Sequence, residues 1–166
     1  MDAGPTVEVR EAQVAELDRL AQIWFEGWRD AHAGILPEEL ARIRTLASFR
    51  DRLAAALPHV RVVGPPGEPV GFCIARDEEL YQLYVSPAAR GAGVAAALMA
   101  DAEARLAVGG TETAWLACAV GNVRAARFYE KCGWQRAGTV SHRPDFADGI
   151  TFEVWRYEKR LRPSAK

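Results

Sequence analysis

The sequence predicts an α+β protein with a mixed sheet, and two features of the chain indicate this class. The predicted elements follow the order strand, two helices, three strands, helix, strand, helix and two strands, which is typical of α+β domains. The run from Ala114 to Val120 is continuously apolar, as expected for an interior strand with both faces covered. Because a chain of 166 residues can bury a core of its own, we predict one domain over residues 1–166.

The first half of the chain is predicted to begin with a strand and to continue as helices. Weak alternation over Thr6–Arg10 indicates the strand, and apolar residues three and four apart from Val14 to Ala31 predict an amphipathic helix ending near Gly34. Pro37 followed by two glutamates is typical of a second helix start. The sequence Ser48-x-x-Asp51 resembles a capping box and predicts a fresh helical turn there.

The second half is predicted to contain a hairpin, two helices and several further strands. Two strand-like segments, 60–63 and 70–75, flank a loop of glycines and prolines, which predicts the hairpin. The other predicted elements are a strand over 79–85, a helix from Val94 to Gly109-Gly110, a helix over 124–131 capped by Gly133, and strands over 134–140 and 151–159.

Charge and cysteine content argue against several classes of protein. A formal net charge of -1 argues against broad nucleic-acid binding, which depends on a basic surface. Cys73, Cys118 and Cys132 lie in apolar stretches without the paired spacing of a zinc site, so we interpret them as buried side chains in a reducing compartment. No apolar run could span a bilayer and no hydrophobic region follows Met1, which predicts no membrane association and a cytoplasmic location.

The most informative stretch is a glycine turn between a strand and a helix. The strand ends near Val85, a turn of small residues follows, and an apolar helical pattern begins at Val94. The first N–H groups of such a helix lack partners and the helix dipole adds roughly half a positive charge, so the turn is predicted to bind a phosphate. Gly91 and Gly93 leave room for a ligand against the main chain.

Two other phosphate-binding motifs fit the same glycines less well. The run from Gly91 to Ala96 satisfies the relaxed dinucleotide fingerprint G-x-G-x-x-(G/A), but that motif requires the strand to lead directly into its first glycine. It also requires an acidic residue at the end of the next strand, which here ends at Gly121-Asn122. A P-loop is excluded because no Lys-Ser or Lys-Thr follows the glycines.

Two motifs occur in order within roughly residues 70–135, counting the strand before each. The first is Val85-x-Pro87-x-x-Arg90-Gly91-x-Gly93-Val94-Ala95, and the second is Asn122-x-x-Ala125-x-x-Phe128-Tyr129-x-x-x-Gly133-Trp134. The pair resembles the GNAT superfamily of N-acetyltransferases, whose core (Arg/Gln)-x-x-Gly-x-(Gly/Ala) is met by Arg90, Gly93 and Ala95. In the second motif, Trp134 stands where Phe is more usual.

The resemblance implies a mixed, mostly antiparallel sheet with a splayed central parallel strand pair and helices on both faces. It also implies that acetyl-CoA is the acyl donor, with its pyrophosphate on the turn amides and its pantetheine arm between the two splayed strands. Asn122 would contact that arm, although it is equally an N-cap for the following helix. The CoA-binding residues implied in this way are Leu83, Tyr84, Val85, Arg90, Gly91, Ala92, Gly93, Val94, Ala95, Asn122, Arg124 and Arg127.

Acetyl transfer from a thioester to an amine requires a neutral amine and an acid for the departing thiolate. The resemblance implies that Tyr129 is this acid, while the alternative is that Tyr129 only packs on its helical face. Glu79 is the candidate base, and strand alternation predicts that it shares a face with Tyr81, Leu83 and Val85. Ordered water could replace a protein base, and Glu79 could instead belong to a charged turn.

The acceptor is predicted to bind between the first helices and the last hairpin, because the motif segments are occupied by CoA. The run Trp28-x-x-Ala31-His32-x-Gly34-Ile35-Leu36-Pro37-x-x-x-Leu40 resembles a segment of several small-molecule GNAT enzymes. Trp24, Trp28 and His32 could line an acceptor pocket, although both tryptophans also fit the apolar stripe of their helix. An acidic vestibule that attracts a cationic amine is a further expectation, formed by Glu26, Asp30, Glu38, Glu39, Asp145 and Asp148.

The function implied by the resemblance is acetyl-CoA-dependent transfer of an acetyl group to a primary amine of a small molecule or peptide. The amine would attack directly in a ternary complex, with no metal and no covalent enzyme intermediate. The alternative from another class is a non-catalytic acyl-CoA-binding module that acts as a sensor or docking domain. Transfer of a longer acyl group is an alternative within the class, and homodimers are common in this fold.

Overall fold

Seven strands form one sheet within residues 7–161, the part of the chain that the computed structural model describes. The strands are β1 (Val9–Glu11), β2 (Val60–Val63), β3 (Gly71–Arg76), β4 (Glu79–Val85), β5 (Thr113–Ala119), β6 (Gln135–His142) and β7 (Phe152–Arg160), in the order β1-β2-β3-β4-β5-β7-β6. Neighbouring strands are antiparallel except β4 and β5, which are parallel. The prediction of a mixed, mostly antiparallel sheet is therefore confirmed.

Helices cover both faces of this sheet, as expected. They are α1 (Leu17–His32), α2 (Glu38–Ile43), α3 (Leu46–Ala56), α4 (Val94–Val108) and α5 (Val123–Lys131). On one face, α1 and α3 bury Trp24 and Phe49 against Phe72 of β3. On the other face, α4 and α5 cover Cys73 and the alternate residues of β5. Alternation along β3 therefore divides its side chains between two apolar cores.

The starts of α3 and of β1 differ from the sequence prediction. α3 begins at Leu46, because the hydroxyl of Thr45 rather than Ser48 is its cap and accepts from the Ser48 N–H at 3.1 Å. The first strand is Val9–Glu11, and Thr6, where the predicted strand began, lies outside the described residues.

A buried carboxylate ties the first strand to the start of α1 and to the loop after β2. Glu16 is fully buried and accepts from both terminal nitrogens of Arg10, at 3.0 and 2.6 Å. It also accepts from the main-chain N–H groups of Gln13 at 2.9 Å and Gly67 at 3.0 Å. These hydrogen bonds, that to Arg10 above all, lower the pKa of Glu16 to about 2.

The two parallel strands pair only at their beginning. In the described part of the chain, Glu79 lies opposite Trp115, and the Trp115 N–H donates to the Glu78 carbonyl at 3.0 Å, with no paired positions further along. β4 and β5 therefore separate towards Val85, which confirms the expected splay. The main chain at this end of β4 is left beside an open cleft.

β5 is interior but not covered on both faces, contrary to the sequence prediction. Ala114, Leu116 and Cys118 are buried under α4 and α5, whereas Trp115 and Ala117 are half-buried on the opposite face. Trp115 is covered by the guanidinium of Arg156 at 4.5 Å from its ring centre. Ala117 borders the cleft, so that face of the strand lines a cavity instead of packing against a helix.

A β-bulge in β4 changes which side chains face the cleft. The register with β3 shifts between Ile74 and Ala75, so that Tyr81 is an extra residue between the paired Leu80 and Gln82. Tyr81 and Tyr84 consequently pack on the α1 face, and Leu83 packs on the α4 face. The expectation that Glu79, Tyr81, Leu83 and Val85 share one face was wrong, because strict alternation does not hold across a bulge.

Candidate active site

A single large cavity of about 1330 Å³ follows the gap between β4 and β5. It begins at the glycine turn before α4, passes the second motif on α5, and continues to the segment between α1 and α3. Fourteen of the seventeen site residues expected from the sequence border it. The predicted residues that border it are Trp28, His32, Glu79, Leu83, Tyr84, Val85, Arg90, Gly91, Gly93, Val94, Ala95, Asn122, Arg124 and Tyr129.

The glycine turn has the geometry of an anion site. Gly91 and Gly93 adopt left-handed φ values of 84° and 81°, which side chains disfavour, and Gly93 is the N-cap of α4. Within residues 7–161, no acceptor takes the main-chain N–H groups from Gly91 to Ala96. A row of free donors at the positive end of a fifteen-residue helix is suited to a pyrophosphate.

The positively charged residues around this turn differ in their positions. Arg90 and Arg124 border the cavity with exposed side chains and can pair with phosphates there. Arg127 is exposed and does not border the cavity, and neither does Ala92. Neither Arg127 nor Ala92 therefore forms part of the wall of the cleft.

Asn122 serves as the N-cap of α5 and also borders the cavity. Its side-chain oxygen accepts from the Ala125 N–H at 3.3 Å. One of the two roles left open by the sequence is thus observed. The amide nitrogen of the same side chain is not needed for the cap and remains a donor for a ligand.

Tyr129 borders the cavity from the last turns of α5. Its ring lies 5.8 Å from the ring of Phe128 and 6.0 Å from that of Tyr157, so packing holds its orientation. Burial raises the pKa of the Tyr129 phenol above its ordinary value. The phenol therefore keeps its proton at neutral pH, as a general acid must.

Glu79 is half-buried at the start of β4, where the parallel strands still touch. Burial raises its pKa to about 7, and the nearby carboxylate of Asp145 acts in the same direction while Arg76 opposes it. A carboxylate with this pKa is well matched to taking a proton at neutral pH. Glu79 thus borders the cavity and has a pKa near neutrality.

Four side chains beside Glu79 form a polar cluster that sequence reasoning missed. Asp145 accepts from Arg76 at 2.7 Å and from the Tyr81 hydroxyl at 3.0 Å, and that hydroxyl accepts from Arg52. The guanidinium of Arg76 lies 3.6 Å from the centre of the Tyr81 ring. Tyr81, the bulge residue, is thereby held rigidly at the end of the cavity opposite the glycine turn.

Two arginines border this end of the cavity. Arg44, which follows α2, is 4% exposed, and Arg52 of α3 is 9% exposed. Their burial was not apparent from the sequence, because an arginine in an amphipathic segment usually faces solvent. The guanidinium of Arg52 also stacks 4.4 Å from the centre of the Trp24 ring.

The three aromatic residues expected at the acceptor pocket are not equivalent. Trp28 and His32 border the cavity, with ring centres 5.3 Å apart, and the Trp28 carbonyl accepts from His32 Nδ1 at 2.8 Å. Burial lowers the pKa of His32, which favours the neutral ring. Trp24 is fully buried between Phe49 and Arg52 and cannot touch an acceptor, so its assignment to the pocket was wrong.

Only part of the expected acidic vestibule borders the cavity. Glu26, Glu38, Glu39 and Asp148 are exposed and do not border it, whereas Asp30, which is also exposed, does. Asp145 borders it, but its carboxylate is engaged by Arg76 and Tyr81. The buried charged groups at this end of the cavity are predominantly guanidinium groups.

Three features together define an N-acetyltransferase fold with its cleft: the open parallel strands, the free amides of the turn before α4 and the tyrosine of α5. Residues 17–134 match the model of the acetyltransferase (GNAT) family. The chain therefore belongs to the GNAT family.

Comparisons with individual proteins agree with this assignment. Uncharacterized N-acetyltransferases of Mycobacterium tuberculosis and Mycobacterium bovis are 44% identical over 118 residues, covering 66% of this chain and 76% of theirs. A GCN5-related N-acetyltransferase structure from Rhodopseudomonas palustris is 21% identical, with a TM-score of 0.74 over 96% of this chain and 99% of that one. The putative acetyltransferase YncA of Salmonella typhimurium, solved with acetyl-CoA, is 15% identical, with a TM-score of 0.70 over 98% of both chains.

Residues 7–161 contain neither a helical membrane span nor a metal-binding cluster. No helix in this range is both long and apolar enough to cross a membrane. The same range contains no group of three or more His, Cys, Asp or Glu side chains placed to hold a metal ion.

Proposed function

We propose that this protein is an acetyl-CoA-dependent N-acetyltransferase that acts on a primary amine by direct attack in a ternary complex. One observation carries the proposal: Gly91 and the residues from Gly93 to Ala96, whose N–H groups are free, border the same cavity as Tyr129 and Glu79. Donor and acceptor can therefore occupy one continuous space. We also propose that it works in the cytoplasm as one domain.

The donor half of the cavity suits acetyl-CoA. The amides of the turn and the side chains of Arg90 and Arg124 would hold the phosphates. The main-chain groups of Leu83 to Val85 that point away from β3, towards β5, would hydrogen-bond the pantetheine arm as an added strand does. Bound in this way, acetyl-CoA supplies a thioester carbonyl between the splayed strands, within the part of the cavity that Tyr129 borders.

The acceptor half supplies the proton transfers that the reaction needs. Glu79, ionised above pH about 7, would take a proton from the ammonium or from the attacking amine, directly or through water. The amine nitrogen bonds to the acetyl carbon and the carbon–sulfur bond breaks. Tyr129 would give its proton to the leaving thiolate, which releases CoA as a thiol.

Tyr129→Phe tests the role of the phenol. We expect turnover to fall roughly ten- to a thousand-fold, because the leaving thiolate loses its acid, while CoA affinity stays nearly constant. The measurements are thiol release for turnover and calorimetry for affinity. Tyr157→Phe is the matched control, because it removes the same atom from a neighbouring ring that does not border the cavity.

The outcomes of this experiment separate catalysis from binding alone. Unchanged turnover in Tyr129→Phe would remove that residue from the mechanism. CoA binding without transfer to any amine or peptide would instead favour the non-catalytic acyl-CoA-binding module. An absence of heat on CoA titration would overturn both proposals. Propionyl- and succinyl-CoA, tested as donors in the same assay, would show whether a longer acyl group is preferred.

A further inference from the structure

The acceptor end of the cavity holds two buried arginines that have no carboxylate partner. Within the described residues, neither Arg44 nor Arg52 has an acidic oxygen within 4.0 Å. Arg44 donates only to the main-chain carbonyl of Asp145, and Arg52 donates to the Tyr81 hydroxyl. Nε of Arg52 is sealed from solvent and unpartnered in this part of the chain.

The nearby carboxylate does not neutralise this pair. Asp145 forms an ion pair with a third guanidinium, that of Arg76, at 2.7 Å and also accepts from Tyr81. Within the buried and half-buried cluster of Arg44, Arg52, Arg76, Asp145 and an ionised Glu79, guanidinium groups outnumber carboxylates by one; Asp30 also borders the cavity, but it is exposed to solvent. Burial and the neighbouring Arg52 lower the pKa of Arg44 to about 10, as expected for two cations that share a space of low polarity.

A buried guanidinium without an opposite charge is unfavourable, so a ligand that supplies a negative charge would stabilise Arg44 and Arg52. The planar fork of an arginine matches a carboxylate, which can accept two of its N–H groups. One uncompensated charge fits one monoanionic group better than a doubly charged phosphate. Because both guanidinium groups are almost fully buried, a small molecule reaches them more readily than the end of a folded protein does.

We propose that the acceptor is a free amino acid, whose carboxylate binds Arg44 and Arg52 while its amine lies near Glu79. This inference rests on the proposed acetyltransferase activity. It assigns to Arg44 and Arg52 the selection of the acceptor rather than a chemical step.

The first test compares amino acids with their carboxamides as acceptors in the wild-type enzyme. The panel contains the common α-amino acids, several amino acids with longer spacing between amine and carboxylate, and the matching carboxamides. We expect at least one amino acid to exceed its carboxamide by about 30-fold or more in kcat/KM, the usual effect of a buried charge pair. The matching aminophosphonate, with two negative charges, should be a poorer acceptor than the amino acid.

The second test removes each guanidinium in turn. In Arg44→Met and Arg52→Met, the preference for the carboxylate should disappear, through a rise of about 30-fold or more in the KM for the amino acid. Arg50→Met is the matched control, because Arg50 lies on the same helix as Arg52 but is exposed and paired with Asp18. The KM for acetyl-CoA should stay constant in all three variants, which also shows that they are folded.

A measurement on the wild type keeps the inference testable if the variants fail to fold. The N-acetyl amino acid should inhibit more strongly than its N-acetyl carboxamide, by the same factor as the two acceptors differ. Equal acetylation of amino acids and carboxamides would overturn this inference and leave the proposed function standing. Preference for the aminophosphonate would overturn the choice of a carboxylate. CoA binding without transfer to any member of the panel or to peptides would overturn both proposals.

Discussion

The raised pKa of Glu79 makes the Glu79→Gln variant informative about both catalysis and stability. The substitution keeps the size of the side chain and removes its charge and its ability to take a proton. In the wild type, kcat/KM should rise with pH and level off above about 7, because the base must be ionised. In Glu79→Gln this inflection should be lost, and turnover should fall by about a hundredfold or more. A pH–rate profile from about pH 5 to 9 measures both effects.

The same variant should be more stable than the wild type above neutral pH. A carboxyl whose folded pKa is raised favours the folded state below its unfolded value of about 4.5 and progressively disfavours it as pH rises through about 7. Each pKa unit is worth about 1.4 kcal/mol, so the displacement from 4.5 to about 7 sets an upper bound of about 3.5 kcal/mol. Because Glu79 is partly exposed, solvent screening reduces the expected gain at pH 8 to about 1 to 2 kcal/mol.

Urea unfolding at pH 4 and pH 8 measures this gain, which should be present only at the higher pH. Glu78→Gln is the control, because its side chain is exposed in the turn beside Glu79, and it should change neither stability nor turnover. A Glu79→Gln enzyme with an unaltered pH–rate profile would refute Glu79 as the base and leave ordered water in that role. If the stability difference between Glu79→Gln and the wild type were the same at pH 4 and pH 8, the raised pKa itself would be refuted.

Three further substitutions test the geometry around the cavity. Gly93→Ala forces a side chain into a left-handed backbone and should weaken CoA binding by about tenfold in calorimetry. Gly110→Ala is the control, because Gly110 also has a positive φ, of 99°, but lies away from the cavity, and it should not weaken binding. Equal effects of the two substitutions would contradict a role for the turn. Glu16→Gln should lower the free energy of unfolding at pH 7 by about 2 to 4 kcal/mol. This loss should shrink as pH falls from about 4.5 to about 2, because the wild-type carboxylate becomes protonated over that range. A difference between the two proteins that stays constant in acid would contradict the buried ion pair. Gly27→Ala would place its Cβ 2.6 Å from the Tyr84 ring and should lower the free energy of unfolding by about 1 to 3 kcal/mol, measured by thermal unfolding. If this clash is the cause, the loss should vanish in a Tyr84→Val background.

The donor half of the cavity could be predicted from the sequence because its signals are local. The turn needs glycines at left-handed positions, the helix after it needs an apolar stripe, and both requirements are met within residues 91–106. Even there, neighbouring signals compete: Thr45 and Ser48 are both good N-caps three residues apart, and the sequence favoured the wrong one. Boundaries of this kind depend on how the helix packs rather than on its own residues.

The acceptor half could not be predicted, because its groups meet only through tertiary structure. Arg44 and Arg52 precede β4 by about 30 residues, and Asp145 follows it by about 60. Nothing in the local pattern distinguishes these buried arginines from the exposed Arg50 between them. The same difficulty affected Trp24, whose place in the apolar stripe was recognised but whose complete burial was not. Counting nearby acidic residues missed the buried arginines at this end, and most of the acidic residues counted are exposed to solvent, with only Asp30 and Asp145 bordering the cavity.

The bulge at Tyr81 connects the two halves of the cavity. The extra residue turns Tyr81 towards the same face as Tyr84, where the acceptor would bind, while Leu83 packs under α4 on the other face. Without it, strict alternation would assign Tyr81 and Tyr84 to opposite faces. Beyond the bulge, the side chains of β4 pack into the two cores, and its main chain, unpaired with β5, is free for the donor. In the proposed mechanism, one strand thus carries the base, anchors the acceptor cluster and still offers main-chain groups to acetyl-CoA, because the bulge occurs where β4 begins to part from β5.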